Sequence, residues 1–389
     1  MDAGRTSRLA VALPALAAAL SILGACSGAE STPPRPLPEA SESVPSLPDL
    51  IAATRTMALL VVRDGEPLLE WYAPPGGPQR LYRVASLSKA LVGGMATMVA
   101  MDDGRLDLDE PVAPLVPGWE DDPRKRAVTA RQLASHCSGM APGARHGTDR
   151  EAWEIAFWSR GADLFPLVLS DAPVTFPPGK RYLYSGPGYA VLGYAVTASL
   201  PRGDSPPDIE ALLRQRIMEP LGVPDREWRI GYGMGHEIDG LRLRAAWGGG
   251  SYSPHAAARV GQLMLQEGMW RGRRLLRAET VRSALTHVEA CTPSDPGHPA
   301  PVVGWWSNAD GALSSVPRDA YLGAGAGHEI LLVVPSLRLV VVRYGLRIGD
   351  SHWGGDFWTA LDSDFLRPLM AIVEEMRASS PDRASLGDR

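Results

Sequence analysis

Two blocks of strand-type sequence stand far apart in this chain, and they limit what it can fold into. Met57-Ala-Leu-Leu-Val-Val62 is an apolar run of strand length. Asp64-Gly65 is a hairpin turn signal, and residues 67–72 supply the returning strand. Near the other end, residues 329–334 and 339–344 are rich in β-branched residues and are joined by Pro335-Ser336-Leu337-Arg338. That is the pattern of a second antiparallel hairpin, in the core of a sheet. Between the blocks the period is helical. Residues 86–101 form an apolar helix stopped by Asp103-Gly104; Thr129 caps a short helix reaching His136; residues 189–200 form a helix stopped by Pro201. Residues 208–218 are amphipathic, Ser253-Pro254 opens another helix toward Gln266, and residues 357–376 close the chain as a helix. The expected class is α+β: an antiparallel sheet built from both chain ends, flanked by terminal helices, with an inserted, mainly helical lobe. A cleft between sheet and lobe is the natural place for a site.

Composition removes several alternatives. Of 389 residues, 45% are hydrophobic and 21% charged, which excludes disorder for the bulk of the chain. The net charge of −5 leaves no electrostatic footprint for nucleic acid. Three cysteines are too few for a disulfide scaffold. Cys137 and Cys291 either pair or stay as buried thiols; the sequence leaves both open.

The ends read as an address and a spacer. Arg5 and Arg8 precede an apolar run over residues 9–23, the length of a signal-peptide core and too short to span a bilayer comfortably. The run ends in Leu23-Gly24-Ala25-Cys26, which resembles a bacterial lipoprotein box in which Cys26 is lipidated. An ordinary signal peptide cleaved near Ala25 is the alternative. Residues 1–25 are therefore expected to be a lipoprotein-type signal. Residues 26–48, with Pro33, Pro34, Pro36, Pro38, Pro45 and Pro48, are expected to be a tether or a leader with no spacing role. The folded domain then covers residues 49–378, with a loose tail at 379–389. The implied location is the bacterial cell envelope, in the periplasm or on the outer face, with the membrane reached through a lipid anchor at Cys26.

Three motifs carry chemistry. In Val84-Ala-Ser-Leu-Ser-Lys89, Ser86 and Lys89 are one turn apart. A serine hydroxyl needs a neighbouring base to become a nucleophile, and a buried lysine can take that part. The chain has only three lysines, Lys89, Lys125 and Lys180, and Lys89 lies in a segment apolar nearly all round. The second motif, Tyr184-Ser185-Gly186, sits ahead of an apolar helix, where a tyrosine can relay protons. The third, Gly323-Ala-Gly-Ala-Gly-His328-Glu329, leads into a strand; small residues there let a substrate lie along the strand edge and expose backbone N–H groups.

In this order, Ser-x-x-Lys, Tyr-Ser-x and a Gly-rich strand near the end, the chain resembles the serine β-lactamase and penicillin-binding-protein-like hydrolases. The class C-related branch is nearest, with family VIII carboxylesterases and D-aminopeptidase or D-alanyl-D-alanine carboxypeptidase types. VTARQLASHCSGM (128–140) and PGKRYLYSGPGYAVLG (178–193) are similar to family stretches, and the likeness runs over about residues 50–375. It implies a β-lactamase/transpeptidase-like fold and a covalent acyl-enzyme. Ser86 would be acylated, Lys89 would accept its proton, and Tyr184 would relay protons and activate water. The oxyanion hole would be the backbone N–H groups of Ser86 and Ala326. Gly186, Gly325, His328 and Trp305 would line the substrate site. No cofactor and no metal are required.

Two departures shape the expected substrate. The family's Asn after Tyr-Ser is Gly186 here, and the third motif has no lysine. A carboxylate clamp would have to come from an arginine such as Arg343, or be absent. Ester or small-amide hydrolysis, or action on a peptidoglycan-type peptide, is therefore expected over efficient β-lactam turnover. The alternative is a catalytically weak, penicillin-binding-like lipoprotein that binds cell-wall peptides or a protein partner.

Overall fold

The structure is a computed structural model that describes residues 44–295, 297–350 and 355–379. The expected signal, the lipidation site Cys26 and most of the tether lie outside these residues, as do residues 380–389. Among the described residues, no helix is long and apolar enough to cross a membrane.

Strands β1 (Thr56–Arg63) and β2 (Glu66–Tyr72) form the N-terminal hairpin. β13 (Ile330–Val334) and β14 (Leu339–Gly345) form the C-terminal one. The two meet edge to edge, β1 antiparallel to β14, with Val61 opposite Val341. With β10 (Ala300–Pro301), β11 (Trp306–Ser307) and β12 (Tyr321–Ala324) they make one sheet in the order β10-β11-β12-β13-β14-β1-β2. This is the α+β sheet from both chain ends that the two strand blocks dictate.

Both faces of this sheet are covered, which explains why its strands read as unbroken apolar runs. Leu60 and Val62 point with Val340 and Val342 into one core, shared with the helical lobe and with α8 (Pro254–Leu265). Leu59 and Val61 point the other way with Val341, into a core closed by α10 (Gly355–Ala360) and α11 (Arg367–Ser379). Alternate residues of one strand thus fill two cores.

The lobe holds α2 (Met95–Asp102), α3 (Ala130–Ala134), α4 (Ala152–Ser159), α5 (Leu164–Asp171), α6 (Gly186–Ala198) and α7 (Ile209–Leu213). A small sheet at its foot joins β3 (Tyr82–Ala85), β7 (Gly250–Tyr252) and β4 (Trp228–Arg229) in the order β3-β7-β4. The disulfide Cys137–Cys291, Cα atoms 5.4 Å apart, settles the open question about these thiols.

Three boundaries differ from the sequence reading, each for a local reason. α1 (Leu47–Ala53) begins inside the expected tether, because Ser46 caps it through the Asp49 N–H and Pro48 sits in its first turn, where proline is tolerated. α6 begins at Gly186 rather than Tyr189, since Ser185 is its cap and Pro187 its first-turn proline. The expected helix 86–101 opens instead as a turn over Ser86–Leu87, continues as a wide π turn (Lys89–Gly94) and becomes α2 only at Met95.

Candidate active site

The chain enters the site along β3 and leaves it sharply. Ala85 takes a left-handed backbone (φ 43), uncommon for a residue with a Cβ, and this turns Ser86 out of the strand. Ser88 fixes the turn from below: its hydroxyl donates to the Ala85 carbonyl (2.7 Å) and accepts from the Gly250 N–H (3.0 Å) of β7. Lys89 follows at the first position of the π turn and is 5% exposed. Its ammonium donates to the Trp247 carbonyl (3.0 Å) and to Ser86 Oγ (3.4 Å).

The wall behind Lys89 needs two glycines. A Cβ on Gly94 would lie 2.6 Å from the Val303 carbonyl oxygen, and one on Gly304 would lie 2.5 Å from the Lys89 carbonyl oxygen. Their absence lets residues 303–306 press against the π turn.

Tyr184 comes from the opposite side, on the loop before α6. Its ring centre is 4.7 Å from the Lys89 ammonium, a cation–π distance. The ring stacks on Trp306 (6.3 Å, 8°) and lies 4.2 Å from the His136 ring. His136 is held by the Ser185 N–H, which donates to its Nδ1 (3.1 Å). Burial, and then the neighbouring Lys89 charge, hold His136 well below the usual imidazole range, so it is neutral at pH 7. The resulting cavity of about 10 Å³, enclosed by Ser86, Lys89, His136, Tyr184, Tyr189 and Trp305, has room for one water at most.

The other expected residues fall in different places. Ala326 and Gly325 lie in the turn between β12 and β13, with the backbone at Gly325 close against the Val84 carbonyl. Trp305 is buried and lines the small cavity rather than an open groove. Gly186 has its Cβ space filled by Phe157.

Two expectations are corrected. His328 does not reach the groove: it is fully buried, stacked on Phe357 at 3.9 Å, with Nε2 bonded to the Phe357 carbonyl and Nδ1 accepting from the Ile348 N–H. Its left-handed backbone (φ 57) turns the side chain beneath the sheet. Arg343 is no clamp either. It is fully buried, and its guanidinium is consumed by Thr56 Oγ1 and by the carbonyls of Thr54, Gly327, His328 and Leu346.

What the sequence reading missed is a second, much larger space. A groove of about 890 Å³ is lined by Ala85, Ala326 and Gly327, and by Arg83, Arg145, Arg160, Arg229 and Arg347, with Glu329 as its one carboxylate. These arginines come from five separate segments, so no local motif could reveal them. In a chain whose basic residues are nearly all arginine, none stands out.

The family model described as Beta-lactamase matches residues 48–345. The chain belongs to the β-lactamase family. Solved structures of the same fold include a family VIII carboxylesterase (TM-score 0.61, 18% identity, 82% of this chain and 96% of that one). Another is a penicillin-binding protein homologue from Caulobacter crescentus (TM-score 0.58, 20% identity, 83% and 98%). A curated relative from Escherichia coli K12, named "Putative D-alanyl-D-alanine carboxypeptidase", is 24% identical over 148 residues, covering 37% of this chain and 32% of that protein. The chain thus spans about a third of the length of that relative. The resemblance read from the three motifs is the right one, and the β-lactamase-family sheet and lobe are those expected.

Proposed function

We propose that the chain is a serine hydrolase that works through a covalent acyl-enzyme on an ester or a small amide or peptide. The observation that carries this reading is the Lys89 ammonium, buried, 3.4 Å from the Ser86 hydroxyl and 4.7 Å from the Tyr184 ring centre. Ser86 Oγ attacks the acyl carbon while its proton passes to the Lys89 amine or to the Tyr184 oxygen. The oxyanion is met by the backbone N–H groups of Ser86 and Ala326. The bond to the leaving alcohol or amine breaks as that group takes up the proton. Water, deprotonated through Tyr184, then cleaves the acyl-enzyme to a carboxylic acid and restores the serine.

Ester substrates are favoured because the place of the family's amide-binding Asn is taken by Gly186 and the ring of Phe157. The test is a fluorophosphonate adduct on Ser86, absent in Ser86→Ala, with turnover of p-nitrophenyl esters exceeding that of nitrocefin. A folded wild type that stays unlabelled would favour the second reading, a binder of cell-wall peptides or of a protein partner. That reading draws on the same Gly186 and on the narrowness of the cavity around Ser86.

We also propose export and lipid attachment at Cys26. The box Leu23-Gly24-Ala25-Cys26 supports it, as does the Cys137–Cys291 disulfide, which suits an oxidising compartment. Mass spectrometry of the mature N-terminus from a bacterial host decides it: a diacylglyceryl-modified Cys26 is expected, and a free amine at another residue refutes it.

A further inference from the structure

The large groove beside the nucleophile is positively charged in a protein that is negative overall. The whole chain carries −5, yet five guanidinium-bearing side chains line this one space against a single carboxyl group. Among the described residues no carboxylate lies within ion-pair distance of Arg83, Arg145, Arg160 or Arg229. By contrast, Arg131, Arg216 and Arg244 in the lobe each meet an aspartate. The groove arginines are held by other means. Arg160 lies 4.4 Å over the Tyr232 ring, and Arg145 5.4 Å over Trp158. Arg83 and Arg229 stand on β3 and β4, rigid strands that flank β7. Glu329 offers little compensation: its carboxyl accepts from the Gly327 N–H, and burial raises its pKa toward the neutral form.

The like charges of Arg83, Arg145, Arg160 and Arg229 repel one another where no carboxylate pairs with them, and a bound anion relieves that repulsion. Guanidinium forks suit oxyanions with two oxygens, carboxylate or phosphate, better than they suit a single point charge. The same groove is bounded by Ala85 and Ala326, the residue before the proposed nucleophile and the proposed oxyanion donor. An anion held here therefore lies next to the bond to be cut.

We infer that this site takes a substrate bearing at least two anionic groups, carboxylate or phosphate, placed beside the scissile ester or amide. The inference rests on the proposed hydrolase reading for what happens to that bond, but not for the binding of the anion.

Two measurements keep these apart. The first is calorimetric titration of citrate, tricarballylate and pyrophosphate into wild type and Ser86→Ala. Binding is expected in both, weakening steeply between 50 and 500 mM NaCl, and lost in Arg160→Gln/Arg229→Gln; the two chemistries compared at equal charge tell carboxylate from phosphate. The second is turnover of p-nitrophenyl butyrate against mono-p-nitrophenyl esters of glutarate and tricarballylate. About a tenfold rise in kcat/KM per added carboxylate is expected, with the ratio falling toward one in the double variant. No binding of any of the three polyanions at low salt overturns the inference, whatever the esterase result. Binding without ester turnover upholds it and sinks the hydrolase reading alone. Binding that survives in the double variant also overturns it.

Discussion

The ring of Phe157 fills the space that any side chain at Gly186 would need: a Cβ there would lie 2.7 Å from Phe157 Cζ. Phe157 is in turn packed 5.1 Å from the ring of Trp247, whose carbonyl holds the Lys89 ammonium. The glycine of the second motif and the Phe157 ring on α4, about thirty residues earlier in the chain, are therefore fitted to one another.

An amide placed at position 186 alone should fail. Gly186→Asn forces Phe157 out of its seat and is expected to cost about 1–3 kcal/mol, as overpacking does. Adding Phe157→Ala should recover part of that loss. Thermal melts of the two single variants and the double give the coupling; additive effects would mean that the ring and the residue-186 space are independent.

Lys89→Met should leave a folded protein and remove acylation. The substitution replaces a buried cation by an apolar chain of similar length, so the fold does not keep an unpaired charge. A loss of about 10²–10⁴-fold in the rate of Ser86 labelling is expected, with a melting temperature near that of wild type. Labelling at the wild-type rate would remove Lys89 from the proton path.

Stability should fall as the solution is acidified from about pH 6.5 to pH 4, in part through His328. Burial, with the Arg343 and Arg347 charges adding to it, lowers this imidazole to about 4, against 6.5 for the free group. The unfolded chain then takes up the proton first. The stabilisation is complete above pH 6.5, drains away across that interval and amounts to up to about 3 kcal/mol. His328→Asn should flatten the melting temperature over the same interval; an unchanged slope would assign the acid sensitivity to other groups.

Reduction of Cys137–Cys291 should loosen the site as well as the fold. The Cys137 carbonyl accepts from the Gly179 N–H (2.8 Å), and the neighbouring His136 carbonyl accepts from the Leu183 N–H (2.7 Å), one residue before Tyr184. Cys291→Ser is expected to cost about 2–5 kcal/mol. It should also lower ester turnover at temperatures where the protein remains folded, read from activity and far-UV circular dichroism on the same sample. Full activity in that range would separate the disulfide from the placing of Tyr184.

The sheet and the lobe were legible because each is written in short local patterns of strand runs and caps, and the closeness of Lys89 to Ser86 was legible from a hydroxyl and an amine three residues apart. The disposition of His328 and Arg343 was not. His328 ends the Gly-rich motif and is turned inward by its left-handed backbone, while Arg343 stands on β14, where only the sheet register decides which face it takes. The arginine groove was also invisible, because Arg83, Arg145, Arg160, Arg229 and Arg347 are brought together by tertiary structure alone. The helices α4 and α5 escaped for a plainer reason: their apolar residues run round the whole circumference and show no periodic stripe.

The bond from Arg343 to Thr56 joins positions 287 residues apart, and β1 has no other neighbour on that side. A ribosome delivers the first of these strands long before the second. Until the last hundred residues have emerged, β1 carries an open edge and the turn at Ser86 has no back wall, so the groove and the small cavity beside it come into being only with the final hairpin.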